Sequence, residues 1–123
     1  MGNCIINRIG GGTTYSENEQ QIGTWIDGKP IYRKVITYTG DIKEGNNEFK
    51  HGIQNLELIV DAKMKCLSDK VIFPYAIRNV CTNIDRYDDT KFTVWSTGDS
   101  WSSRTWAFIL EYTKTTDKSW GGN

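Results

Sequence analysis

The chain has 123 residues, with 15 Lys plus Arg set against 15 Asp plus Glu and a formal net charge of zero at pH 7. That balance leaves no positive field to draw phosphate backbones or anionic lipid, so neither nucleic acid nor a membrane surface is an expected partner. At this length one domain is expected, burying about two thirds of the unfolded chain's surface, enough for a core without metal or disulfide staples.

Residues 1–14 carry Gly10-Gly11-Gly12 and the apolar Ile5, Ile6 and Ile9 without periodicity, which marks a docking arm. Met1-Gly2 opens like a myristoylation site, but Ile6 stands where that motif needs Ser or Thr. Met1–Gly12 also lacks the charged start and apolar stretch of a secretory leader, so use without export is expected. Ile22–Asp27 and Ile31–Tyr38 are β-prone runs separated by Gly28-Lys29-Pro30, the pattern of a hairpin. Gly40–Lys50 is polar and reads as a loop, with order resuming at His51-Gly52. In Leu56–Met64 the apolar Leu56, Leu58, Val60, Ala62 and Met64 alternate with polar residues, predicting a half-buried antiparallel strand. Ser68-Asp69 breaks it, and Pro74, lacking an amide donor, confines Val71–Phe73 to an edge or strand end. Ile77–Ile84 is a weaker strand. Lys91–Thr97 and Arg104–Lys114 alternate again, with Phe92 and Val94 inward on one and Trp106, Phe108, Leu110 and Tyr112 inward on the other. Six or seven short strands without helical spacing predict an all-β fold, an antiparallel β-sandwich over residues 15–117, followed by a tail at 118–123.

No catalytic, cofactor or metal constellation emerges, and no enzyme is expected. Cys4, Cys66 and Cys81 form no C-x-x-C pair, which leaves idle thiols or a Cys66–Cys81 bridge open. His51, the single histidine, has no partner at triad or metal spacing, and Asp85, Asp88 and Asp89 miss the calcium-loop pattern. The five tryptophans say more. Trp95 falls on the outward parity of its strand, as do Ile59 and Ile109 of theirs, and large apolar groups so placed predict an oligomer interface. Trp101 sits in a Ser-rich turn, Gly98–Arg104, where Asp99, Ser100, Ser102 and Arg104 supply hydrogen-bond groups. That set predicts a ligand or receptor surface, with Tyr87, Asp88 and Asp89 as a second cluster. A turn that folds back to bury Trp101 stands equally beside it.

Tyr15–Lys34, His51-Gly52-Ile53 with Asn55, Phe73-Pro74-Tyr75 and Leu110–Asp117 together resemble, in order, a domain at the carboxyl end of tail and fibre proteins of phages and prophages of gut bacteria. The resemblance covers roughly Tyr15–Asp117. It implies a virion structural protein, assembled in the host bacterial cytoplasm. It would be a small fibre or decoration protein of head or tail that docks on other virion proteins by its arm and contacts a host surface or glycan. It also implies self-association, a trimer in preference to a dimer, and supplies no catalytic residues. The alternative is a small carbohydrate-binding lectin.

Overall fold

The computed structural model describes residues 14–77, 80–98 and 100–120, so the arm residues Ile5, Ile6 and Ile9 lie outside the described part. Eight strands follow in chain order: β1 (Gln20–Thr24), β2 (Pro30–Ile42), β3 (Gly45–Lys50), β4 (Leu56–Cys66), β5 (Tyr75–Ile77), β6 (Val80–Tyr87), β7 (Lys91–Thr97) and β8 (Trp101–Lys114). They form two antiparallel four-stranded sheets, ordered β1-β2-β8-β4 and β3-β7-β6-β5, and no helix occurs among the described residues. The expected all-β sandwich is what forms, with eight strands in place of six or seven. Cys66 and Cys81 are free thiols, so they do not pair.

The Gly40–Lys50 stretch is not a loop: β2 runs to Ile42, and Gly45–Lys50 is the edge strand β3. Two inward side chains make it one. Asn47 closes the preceding turn, its Oδ1 accepting from the Lys43 amide at 2.9 Å and its Nδ2 donating to the Lys43 carbonyl at 2.8 Å. Phe49 packs its ring 4.8 Å from Tyr38, 5.5 Å from Phe92 and 5.0 Å from Phe108. In β4 the ends of the predicted inward row, Leu56 and Met64, are buried, while Leu58 is 40% exposed on this edge strand.

Contacts divide the chain into two compact units. The first comprises the chain up to Val35, Asn55–Asp61 and everything from Leu110. Its β1–β2 hairpin turns at Trp25–Lys29, where the Trp25 amide donates to the Lys29 carbonyl at 2.8 Å. Gly28 has φ +93°, and the Trp120 ring occupies the space a Cβ would need there. Trp120 is anchored by its own amide, which donates to the Asp27 carbonyl at 2.7 Å.

Around these strands runs a network of carboxylates. Glu19 accepts from the Tyr112 hydroxyl at 2.6 Å and from Lys114 Nζ at 2.7 Å. Partial burial pushes its carboxyl up, but those bonds and the charges of Lys114 and Lys34 outweigh it and hold the group below its ordinary value. Burial first, then Glu19, pushes the Tyr112 hydroxyl far up. Tyr32 donates to Asp117 at 2.7 Å, and that bond raises its hydroxyl to about 12. Glu57 takes Lys29 Nζ at 2.8 Å and the Thr113 hydroxyl at 3.0 Å.

The second unit, Ile36–Gln54 with Ala62–Ile109, holds an aromatic core between its parts of the two sheets. Phe108 of β8 meets Phe92 of β7 at 5.0 Å, and both are fully buried with Val94 and Trp106. Phe73 stands 5.6 Å from the Trp106 ring. His51, 1% exposed, fastens the end of β3 to the β6–β7 turn. Its Nδ1 accepts the Ile53 amide at 3.0 Å, which leaves the ring proton on Nε2 to donate to the Asp88 carbonyl at 2.9 Å.

Candidate functional site

Side chains alternate in direction along β7, although Thr93 on the outer parity is only 6% exposed. Phe92, Val94 and Ser96 are buried, while Lys91, Thr93, Trp95 and Thr97 take the outer parity of the second sheet. Trp95 is 41% exposed on this face. Register places Asn46 of β3 opposite it on one side and Asn83 of β6 on the other. Facing pairs in such ladders hold their Cβ atoms about 4.5–5.5 Å apart, so the two amides flank the indole. The Asn83 carboxamide is fixed: its Oδ1 accepts the Tyr75 amide at 3.2 Å and its Nδ2 donates to Cys81 Sγ at 3.1 Å. The Trp95 indole N–H and the Asn46 amide have no partner among the described residues.

Two residues along β7, Thr93 lies between Glu48 of β3 and Arg86 of β6. Counting by twos from Asn83 would bring Asp85 opposite Thr93. A register shift between Ile84 and Arg86 brings Arg86 there in its place, the re-aiming that β-bulges perform. The Thr93 hydroxyl donates to the Arg86 carbonyl at 3.2 Å, and Arg86 Nε reaches Asp85 Oδ2 at 2.7 Å. A cleft of about 190 Å³ opens here, lined by Glu48, Arg86, Tyr87, Asp88, Lys91 and Thr93. Its cations are matched: Arg86 by Asp85, and Lys91 by Glu48 at 3.6 Å and Asp88 at 3.9 Å. Asp88 also accepts the Thr90 and Lys91 amides, each at 2.9 Å, and those bonds hold its carboxyl below the usual range. No family model, curated protein or solved structure matches the chain.

Of the two readings of Trp101, the buried one holds. Trp101 is 6% exposed and belongs to the core. Its strand starts three residues earlier than expected, and Ser103 at φ +53° breaks the alternation, so that Trp101 and Trp106 both turn inward. The Trp101 Nε1–H donates to the Thr82 hydroxyl at 2.9 Å, itself 2.9 Å from that of Ser96. Arg104 is engaged as well, lying 5.2 Å over the Trp101 ring and donating to Asp69 at 3.1 Å. Asp99 lies outside the described residues. Tyr87, 39% exposed, does reach a surface feature, the rim of the cleft beside Thr93.

The grouping of Trp95, Ile59 and Ile109 also dissolves. Trp95 belongs to the second sheet, whereas Ile59 of β4 and Ile109 of β8 belong to the first. Within the second unit Trp95 and Ile109 take the outer parities of two sheets packed face to face, and such faces look away from each other. The residues that join Trp95 instead, Asn46, Asn83, Glu48, Arg86 and Thr93, carry no motif, and only cross-strand register assembles them.

Proposed function

We propose that the chain is a virion structural protein of the phage fibre or decoration type that displays the outer face of its second sheet to a host surface. The observation that supports this most is Trp95, a large ring left 41% exposed on a strand inside the sheet, flanked on both sides by amides. An interior strand of an antiparallel sheet holds its outward side chains at fixed spacing, which suits a surface meant to be read by a partner. The resemblance of Tyr15–Asp117 to fibre and tail domains supplies the setting. In this reading residues 1–14 dock the chain on capsid or tail through Ile5, Ile6 and Ile9, and copies of the chain associate, a trimer in preference to a dimer.

The test is mass spectrometry of purified phage particles from producing cells, with the full chain and with a chain lacking residues 1–14. The full chain is expected in particles and the truncated one only in the soluble fraction. Absence of the full chain from particles would overturn the reading. A small carbohydrate-binding lectin is the second reading, favoured by the same indole standing between two amides.

A further inference from the structure

We infer that the strip of β7 centred on Trp95 and Thr93 binds a neutral oligosaccharide, laid along the strand with one sugar stacked on the indole and the next over the cleft. The inference rests on the proposal that this face is the displayed one, and it names the ligand. A sugar ring offers a flat C–H face that packs on an aromatic plane, and its hydroxyls must regain the hydrogen bonds they lose with water. The outer face provides both in adjacent rows.

At the first row the Trp95 ring is exposed, its N–H is an open donor, and Asn46 offers both a donor and an acceptor. Asn83 keeps one Nδ2 hydrogen after serving Cys81. The second row lies two residues away, about 7 Å along the strand. There the cleft offers the polar groups of Glu48, Arg86 and Lys91 around Thr93, which is itself 6% exposed at the floor and donates its hydroxyl proton to the Arg86 carbonyl. The bulge that aims Arg86 and the two bonds that hold Asn83 are in place before any ligand arrives, which lowers the ordering cost of binding.

The same rows argue against other occupants. The core of a subunit interface is depleted of charge, whereas here a single aromatic stands among amides, a hydroxyl, Glu48, Arg86 and Lys91. A polyanion needs uncompensated cations. Arg86 and Lys91 both have carboxylate partners, so the strip suits an uncharged chain.

The test is binding of the full-length protein to an array of neutral and of uronate- or sialate-bearing oligosaccharides, followed by calorimetric titration with the best neutral binder. At least one neutral oligosaccharide should bind, with affinity unchanged between low and high salt. Trp95→Ala should weaken it roughly tenfold or more, the worth of a lost aromatic stack. Asn46→Ala, at an exposed position, provides the second variant should Trp95→Ala fail to fold, and a several-fold loss is expected of it. The inference is overturned by no binding, by binding of acidic oligosaccharides alone, or by variants that bind as the parent does. Particles whose adsorption to cells needs Trp95 although no oligosaccharide binds would sink the sugar and spare the display reading. Sugar binding at Trp95 by a chain absent from particles would do the reverse.

Discussion

Replacing Trp101 by Ala tests whether that residue is core or surface. The ring is 6% exposed and touches Phe73 at 5.7 Å, Tyr75 at 5.3 Å and Trp106 at 6.0 Å between ring centres. Removing a buried area on the order of 200 Å² at about 25 cal/mol per Å² sets an upper figure near 5 kcal/mol, and emptied tryptophan sites typically cost about 3–5 kcal/mol. A domain of this size has only about 5–15 kcal/mol in hand, so the urea midpoint should fall by about a fifth or more. Trp101→Phe keeps most of the packing but removes the donor to Thr82, and should cost about 1 kcal/mol more than the area lost. Thr82→Val leaves the indole N–H buried without its acceptor, for about 1–3 kcal/mol. The two substitutions combined should cost less than their sum, because each removes the same bond. A Trp101→Ala unfolding free energy within about 1 kcal/mol of the parent's would refute the burial of this ring.

His51→Ala should cost about 2–4 kcal/mol in equilibrium unfolding, since it strands the buried Ile53 amide and the Asp88 carbonyl and leaves a void. His51→Asn, whose oxygen can replace Nδ1 for Ile53, should recover part of that loss. Gly28→Ala should cost about 1–2 kcal/mol through its left-handed φ and must displace the exposed Trp120 ring, read as a lowered melting temperature. Glu57 is held below its ordinary 4.5, first by Lys29 and then by Thr113. Its contribution is therefore full above pH 4.5 and fades as pH falls through the lowered folded value. A melting-temperature profile should flatten below pH 4.5 in Glu57→Gln, and an unchanged profile would refute the linkage.

The sequence carried the fold where one face of a strand is apolar. Lys91–Thr97 has the predicted bounds of β7, because Phe92 and Val94 alternate with polar residues and Gly98 follows. It failed where an edge strand is polar on both faces: β3 offers one apolar side chain, Phe49, and an Asn47 whose work is a turn closure. Trp101 stays open between surface and core in the sequence because serine-rich runs look like turns, and Ser103 resets the parity of a strand that alternation alone would turn outward. Outward Trp95 was legible from Phe92 and Val94, but its companions were not. Asn46 and Asn83 meet it through register, and Arg86 meets Thr93 only because a bulge adds a residue to β6. None of these alignments has a local signature.

Alternation along β7 separates two inheritances in one strand. Val94 and Ser96 are committed to the interior, where any change in volume or polarity is felt throughout the unit. Trp95, 41% exposed, answers to what lies outside, while Thr93 on the same parity is covered and bonded to the Arg86 carbonyl. Substitutions at the exposed Asn46, Glu48 and Trp95 therefore leave the buried row untouched. The outer row of this strand can thus change its chemistry while the residues beneath stay fixed.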